Sequence, residues 1–141
     1  MARTDKTARG IIIKDNKILL IHRLKKGEEY FVLPGGGIED DETPEVTVKR
    51  EIYEETGLKV ISLISDFKIV DVNGQDSFIY YLKLEDGIPE LVGEEKEYSH
   101  PEDWYNPEWF DIDILNQTNV YPVAARLRIL EDLKHKKTSP K

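Results

Sequence analysis

Apolar residues in the first third of the chain fall into short runs that predict β-strands. The segment RGIIIKDNKILLIHR, residues 9–23, carries two such runs on either side of Asp15-Asn16. Two apolar runs around a short polar turn are typical of a β-hairpin. The run EYFVLP, residues 29–34, predicts another short strand. The glycines at positions 35–37 follow it, and they allow the backbone positive φ angles or a close approach to a ligand.

The middle of the chain predicts a second hairpin. Residues 58–72 and 77–84 are rich in β-branched and aromatic side chains, and Asn73-Gly74 lies between them. Asn-Gly is the dipeptide that tight hairpin turns prefer. Residues 85–108 are rich in Glu, Pro and Trp and predict an irregular loop, and residues 108–115 predict a short strand and a turn.

Two segments carry the signals of helices. Thr43 can cap a helix N-terminus, and Pro44 suits the first helical position. This helix is predicted to run to about Thr56, because Gly57 is a typical C-terminal stop. The segment YPVAARLRILEDLKH, residues 121–135, predicts a second helix.

In the second helix, Val123, Leu127 and Leu130 recur at helical spacing and predict the face that packs on the core. Residues 134–141 are expected to fray. One helix between strands and one at the end favour an α/β fold with a mixed sheet between helices. We expect a single domain over residues 1–141.

Composition restricts the class of protein. The chain has 141 residues, of which 39% are hydrophobic and 34% charged, as in a globular domain. It has no cysteine, which excludes disulfides and thiolate metal sites. No apolar run approaches the ~20 residues that a membrane span needs, and the N-terminus lacks a signal-like apolar region. We therefore expect a cytoplasmic protein without a membrane partner.

The net charge of −8 is unevenly distributed. Residues 1–26 hold eight bases and two acids, whereas residues 39–55 and 94–113 hold eight acids each. Such acidic blocks argue against nucleic acid as a partner, since its binding needs a basic footprint. They are compatible with divalent metal ions. A solvated surface is the alternative for residues 94–113, whereas the spacing within residues 39–55 favours chemistry.

Three glutamates crowd the C-terminal half of the first predicted helix: Glu51, Glu54 and Glu55. Like charges at this spacing repel each other, and the helix dipole favours cations at this end. At about 100° per residue, the three carboxylates share one arc about 100° wide. Val48 and Ile52 lie beside that arc and can face the core. Oxygen ligands without His or Cys suit hard cations such as Mg²⁺ or Mn²⁺.

The wider spacing resembles a known signature. From Gly36 the chain reads five residues, Glu42, seven residues and then REIYEETGL, residues 50–58. This resembles the Nudix box, G-x5-E-x7-R-E-U-x-E-E-x-G-U with U an aliphatic residue, at every fixed position. The box spans residues 36–58. The resemblance implies the family's α/β/α sandwich and a MutT-like, metal-dependent hydrolase of a nucleoside diphosphate linked to another moiety.

The resemblance also implies roles for single residues. Glu51, Glu54 and Glu55 are implied to be catalytic and to bind Mg²⁺ or Mn²⁺. The backbone carbonyl of Gly35 is implied to be a further metal ligand, and the number of ions stays open. Arg50 is counted with the catalytic group, because it can pair with Glu54 or with the box glutamate eight residues before it.

The general base has three candidates. Glu51 serves as the base in members similar to MutT, whereas other members take it from a later loop, where Glu95 and Glu97 are the candidates here. Glu97 is also predicted to contact the substrate. Arg23, at the end of a predicted strand, is the candidate contact for a substrate phosphate, with a solvated strand end as the alternative.

Further candidate residues have purely structural roles as alternatives. His22 is expected to be an ordinary edge residue, and Asn119 either reads a purine, as in MutT-type members, or belongs to a turn. Four aromatic residues either stack on a base or pack in the core or a loop: Trp104, Tyr105, Trp109 and Phe110. Tyr30 and Phe31 either border the pocket or pack in the core.

The predicted substrate is a nucleotide-like small molecule, and an oxidised nucleoside triphosphate is one option by analogy. Residues 73–75 lack the proline or tyrosine that marks family subgroups for ADP-ribose or dinucleoside polyphosphates, which disfavours those substrates. The alternative function is a non-catalytic nucleotide sensor, which is disfavoured because all box carboxylates are kept. The oligomeric state stays open: many relatives form homodimers, and no feature of this sequence requires one.

Overall fold

The computed structural model describes residues 3–70, 73–90 and 101–138. These residues form strands, two α-helices and one 3₁₀ helix. In chain order the elements are β1 (Arg3–Ile11), β2 (Ile13–Lys14), β3 (Lys17–Lys25), β4 (Glu28–Val32), β5 (Gly35–Glu39), α1 (Pro44–Thr56), β6 (Val60–Val70), β7 (Asp76–Leu84), β8 (Asp103–Asp111), the 3₁₀ helix (Ile112–Asn116), β9 (Val120–Tyr121) and α2 (Val123–Thr138).

The strands form two mixed sheets. The first has the order β5-β1-β7-β6, in which β1 pairs antiparallel with β5 and parallel with β7. The second has the order β2-β3-β4-β9, and β8 also pairs with β3 along the whole length of that strand. Parallel pairing recurs between β4 and β9.

Alternation along the strands directs side chains to two separate cores, because successive residues point to opposite faces. Leu19 of β3 packs in a cluster with Ile52 of α1. The next residue, Leu20, packs in the other cluster, with Ile129 of α2. The sheets therefore lie between the two helices, which confirms the predicted α/β sandwich with mixed sheet pairing.

Local sequence signals determine α1 and both hairpins. The Thr43 hydroxyl accepts a hydrogen bond from the Val46 N–H at 3.2 Å, as an N-cap does. Gly57 has φ 73°, and its N–H donates to the Tyr53 carbonyl at 2.8 Å. The helix bounds are as predicted. The predicted hairpins are confirmed as well, since β2 pairs with β3 and β6 with β7, both antiparallel.

The predicted irregular loop over residues 85–108 is wrong for its last part. Strand β8 begins at Asp103, and its hydrogen bonds come from the distant strand β3. The predicted core face of α2 is wrong at Leu127, whereas Leu130 packs against the core as predicted. Leu127 is 53% exposed, whereas Ala125 and Ile129 are fully buried.

The second helix continues into the segment that is predicted to fray. Its backbone is helical to Thr138, so residues 134–138 are helical, and residues 139–141 lie outside the described residues. Within the described part of the chain, no helix has both the length and the apolar character needed to cross a membrane.

Candidate active site

A cavity of about 590 Å³ is lined by both sheets and by α1. One wall comes from β1 and β5, with Lys6, Thr7, Arg9, Gly35, Gly36 and Gly37. The facing wall comes mainly from β3, β4 and β8, with Ile21, Arg23, Tyr30, Val32, Leu33 and Tyr105. Glu51 and Glu55 of α1, together with Gln75, complete the lining.

Glu51 rests against the glycine strand β5. Its residue surface is only 7% exposed. A Cβ atom on Gly36 would lie 2.6 Å from the Glu51 carboxyl carbon and 2.7 and 2.9 Å from its oxygens. Any residue other than glycine at this position would therefore displace the carboxylate. Gly36 is part of the site because it lacks a side chain.

Glu55 is held by the preceding glycine. Its Oε1 accepts a hydrogen bond from the Gly35 N–H at 2.8 Å. Gly35 has φ 145°, and a Cβ atom there would lie 2.2 Å from the Ala8 carbonyl oxygen. The two glycines thus bring a pair of carboxylates from α1 against one short stretch of backbone.

Arg50 lies among the carboxylates of the helix and of the loop before it. Its Nε and Nη2 donate to the two oxygens of Glu42 at 2.6 and 2.9 Å, and its Nη1 lies 3.1 Å from Glu51 and 3.4 Å from Glu54. Thr47 Oγ1 donates to Glu42 at 2.7 Å. The Arg50 guanidinium lowers the pKa of Glu42 to about 2, and Glu42 in turn raises the pKa of Arg50. Both predicted partners of Arg50 are confirmed.

The chemistry of the donors fits a hard divalent cation. Glu51 and Glu55 present carboxylate oxygens beside the backbone of Gly35, and none of the described residues that line the cavity carries sulfur or imidazole. Glu54 contacts Arg50 on the same helix. Among the described residues, no three acidic or imidazole side chains already surround a common point. The Arg50 guanidinium is the positive charge that lies among these glutamates.

Positive side chains lie on both walls of the cavity. Lys6 and Arg9 belong to β1, where Arg9 is opposite Gly35 in the β1–β5 register, and Arg9 Nη1 donates to the Leu33 carbonyl at 2.9 Å. Arg23 of β3 lies on the facing wall, and its contact with a substrate stays a prediction. Sequence reasoning missed Lys6 and Arg9, because only the register between distant strands brings them to the glycines.

The structure separates the aromatic candidates. Tyr30 and Tyr105 line the cavity. The rings of Phe31, Trp104 and Phe110 instead surround His22, at centroid distances of 4.7, 4.9 and 5.8 Å. Trp109 packs against the core beside α1. Stacking on a ligand in the cavity is therefore open only to the two tyrosines.

His22 is more constrained than an ordinary edge residue. It lies between Ile21 and Arg23, which line the cavity, and therefore points to the opposite face of β3. Its Nδ1 is 2.9 Å from a Glu108 oxygen, and its Nε2 is 2.6 Å from a Glu29 oxygen. These contacts join β3 to both of its neighbours.

The remaining predicted residues lie elsewhere. The Asn119 side chain donates to the backbone carbonyl of Glu29 at 3.1 Å, as a turn residue does, and it is not among the cavity residues. Glu95 and Glu97 lie outside the described residues, so their predicted roles stay predictions.

The chain matches the family model of the NUDIX domain over residues 4–129. It therefore belongs to the Nudix family, and the resemblance of residues 36–58 to the Nudix box is confirmed as a family relationship. The match begins at the second residue of β1, includes the other described strands and α1, and ends within the first half of α2.

Curated relatives align over a shorter segment. An "ADP-ribose pyrophosphatase" of Methanocaldococcus jannaschii is 54% identical over 65 residues, which is 44% of this chain and 38% of the relative. An "RNA pyrophosphohydrolase" of Psychromonas ingrahamii is 44% identical over 50 residues, 36% of this chain and 28% of the relative. The aligned segment is thus about a third of the length of these curated relatives.

Solved structures of the family share the fold over nearly the whole chain. The MutT NUDIX hydrolase from Burkholderia pseudomallei is 26% identical with a TM-score of 0.60, over 87% of this chain and 95% of that chain. A NUDIX hydrolase from Nitrosomonas europaea gives a TM-score of 0.67 at 21% identity, over 96% of this chain and 91% of that chain. The second likeness concerns the fold alone.

Proposed function

We propose that this protein is a Mg²⁺- or Mn²⁺-dependent hydrolase that cleaves the diphosphate linkage of a nucleoside diphosphate derivative. The observation that carries the proposal is the anchoring of Glu51 and Glu55 against Gly35 and Gly36. These carboxylates project into a cavity that also contains lysine and arginine side chains. An acidic pair alone repels a polyphosphate, whereas acids combined with a divalent ion and basic walls can bind it.

Each residue of the site has a proposed role that follows from its position. Glu51, Glu54 and Glu55 would hold the ion, with the Gly35 carbonyl as a further ligand. Arg50 keeps the glutamates in place through its contacts with Glu51 and Glu54. When bound, a divalent ion supplies charge neutralisation and lowers the pKa of a coordinated water. The base that removes the water's proton is Glu51, which lines the cavity, or else Glu95 or Glu97.

Lys6, Arg9 and Arg23 are proposed to bind the phosphate oxygens or other polar groups of the substrate. All three line the cavity, and they come from both of its walls. Water attacks one phosphorus of the linkage, the P–O bond to the other half breaks, and each half leaves as a phosphate ester or as pyrophosphate. In-line positioning of this kind is the main requirement of phosphoryl transfer.

The substrate panel follows from the names of the relatives. One is an ADP-ribose pyrophosphatase and another an RNA pyrophosphohydrolase. ADP-ribose therefore belongs in the panel, although residues 73–75 lack the mark of that subgroup. The panel also contains 5′-triphosphorylated RNA, ordinary nucleoside triphosphates and an 8-oxo nucleoside triphosphate. A nucleotide rather than duplex nucleic acid remains our proposed partner, and the cytoplasmic location stays a prediction.

The deciding experiment measures hydrolysis of this panel with Mg²⁺, with Mn²⁺ and with chelator. Wild type is compared with Glu54→Gln and with Glu45→Gln, which removes an exposed carboxylate from the first turn of the same helix. We expect metal-dependent hydrolysis that Glu54→Gln abolishes and Glu45→Gln retains. Tight nucleotide binding without hydrolysis of any member would instead establish the sensor, and equal activity of the two variants would contradict the site.

We also propose that two copies of the chain associate through β6, the end strand of the first sheet. Register shifts against β7 fall at Ile61 and Ile64, which are 60% and 68% exposed and line a groove of about 920 Å³. The groove is lined by three lysines and three acids, so it carries no net charge on a chain of −8.

Light scattering over a concentration series tests this association. We expect a dimer for wild type and for Leu127→Lys, which changes an exposed leucine on α2. Ile64→Lys should give a monomer with unchanged thermal stability. A wild-type protein that is monomeric at every concentration would overturn the proposal.

A further inference from the structure

Tyr30, Arg23 and Tyr105 form one row across three adjacent strands. Arg23 of β3 is opposite Tyr30 in the register with β4 and opposite Tyr105 in the register with β8. Directly opposed residues of antiparallel strands point to the same face. All three side chains line the cavity that also contains Glu51 and Glu55. Because neighbouring strands are about 4.8 Å apart, the row is about 10 Å wide, close to the length of a purine.

Contacts within the row and beside it restrict its side chains. The Arg23 guanidinium lies 5.1 Å from the centre of the Tyr105 ring, and its Nη2 is 3.1 Å from an Asp103 oxygen. The Tyr30 ring meets the Tyr121 ring edge-on at 5.9 Å. Planar groups that are already fixed lose little entropy when a flat ligand stacks on them.

The neighbouring row on the same strands is apolar. Ile21 is opposite Val32 on one side and Pro107 on the other, and both Ile21 and Val32 line the cavity. The cavity wall that comes from β3, β4 and β8 therefore presents an apolar row, followed by a row of planar aromatic and guanidinium groups. Such a wall suits a nucleobase better than a phosphate, and Asp103 already offsets the Arg23 charge.

We propose that the Tyr30–Arg23–Tyr105 row binds the nucleobase of the substrate by stacking. This inference rests on the proposed function, because it places the nucleoside half of that substrate. It also revises the role of Arg23, which the sequence predicts to contact a phosphate. Lys6 and Arg9, on the wall that carries the glycine strand, are left as the phosphate contacts.

Calorimetric binding of two product-like probes tests the row without any hydrolysis step. AMP contains base, ribose and phosphate, whereas ribose 5-phosphate lacks the base. We expect wild type to bind AMP more tightly than ribose 5-phosphate, and Tyr105→Leu to raise the Kd for AMP at least about fivefold. The Kd for ribose 5-phosphate should stay within about twofold. Tyr105→Phe keeps the ring and should resemble wild type.

Three further variants make the result decisive. Tyr53→Leu removes an exposed tyrosine of α1 outside the cavity and should leave both Kd values unchanged. Tyr30→Leu replaces Tyr105→Leu in the comparison if circular dichroism shows that the latter is unfolded. Arg23→Met should weaken AMP more than ribose 5-phosphate, whereas an equal loss for both probes would restore the phosphate role and overturn the base role.

Failure of the inference differs from failure of the proposed function. If the substrate panel is hydrolysed but wild type binds AMP no better than ribose 5-phosphate, the row is wrong and the hydrolase stands. If nothing is hydrolysed but the base-dependent loss in Tyr105→Leu is found, the row stands as a nucleotide-binding surface. An equal loss of both probes in Tyr105→Leu would contradict the row.

Discussion

The helices α1 and α2 cover opposite faces of the sheets, and they differ in what they bury. Helix α1 buries Val48 and Ile52 beside a glutamate, Glu51, that is almost as inaccessible as they are. Helix α2 buries Ala125 and Ile129. A core does not need a buried carboxylate, since burying one is costly unless it is paired. Glu51 is paired with Arg50 at 3.1 Å, and the difference is the one that the proposed function predicts, with α1 serving binding as well as packing and α2 serving packing.

The most direct test of this difference between the helices removes one carboxylate from each of them. Glu55→Gln deletes a cavity carboxylate of α1 and should lower kcat/KM by about 10²–10⁴, as loss of an acid-base or metal-binding group does. Thermal stability should change little. Kinetics on whichever panel member is hydrolysed best provide the measurement.

The matched change on α2 is Asp132→Asn. Asp132 accepts hydrogen bonds from the Tyr81 hydroxyl at 2.7 Å and from Arg128 Nε at 3.2 Å, and it lies outside the cavity. We expect activity within about twofold of wild type and a loss of unfolding free energy of about 1–3 kcal/mol. If Asp132→Asn lost activity as Glu55→Gln does, the division between the two helices would be wrong.

The second prediction concerns packing along α2, where buried and exposed positions should differ in their sensitivity. Ile129→Ala should cost about 2–5 kcal/mol of unfolding free energy, because it opens a cavity in a fully buried position. Leu127→Ala, at a position that is 53% exposed, should change stability by no more than about 0.5 kcal/mol. Chemical denaturation of both variants measures this. Equal losses of unfolding free energy in the two variants would support Leu127 as part of the core face, as the sequence predicts.

The same contrast explains which features were readable from the sequence. The caps of α1, the two hairpin turns and the spacing of the box are local patterns, and each is fixed within a few residues. Strand β8 obtains its partner from β3, roughly eighty residues earlier, so composition alone suggested a loop. Lys6 and Arg9 enter the site through the pairing of β1 with β5. Registers between distant strands, and the face of α2 that they select, are not encoded locally.

A third prediction concerns how acid changes the stability that the Glu42–Arg50 pair contributes. Because Arg50 lowers the pKa of Glu42 from the usual 4.5 to about 2, the folded state holds this group charged more firmly than the unfolded state. The resulting stabilisation is complete above about pH 4.5 and is lost as pH falls towards 2. Glu42→Gln should lose about 1–3 kcal/mol near neutral pH and show a flatter decline below pH 5.

Unfolding curves between pH 2 and 7 measure this effect. The pH dependence of Asp132→Asn serves as the control, since Asp132 lies on the other helix and contacts Tyr81 of β7 and Arg128 of α2. An unchanged acid profile in Glu42→Gln would show that the Glu42–Arg50 pair contributes nothing to the folded state.

The smallest effect should come from the start of α1, where the sequence was most informative. Thr43→Ala removes the hydroxyl that accepts from the Val46 N–H and should cost about 1 kcal/mol, as loss of an N-cap does. Thr43→Ser keeps the acceptor and should stay within a few tenths of a kcal/mol of wild type. Because Thr43 directly follows Glu42 and lies about two turns before Arg50, a larger loss would mean that the helix start also positions the carboxylates. In that case kcat/KM would fall together with stability in Thr43→Ala, whereas a purely local cap changes stability alone.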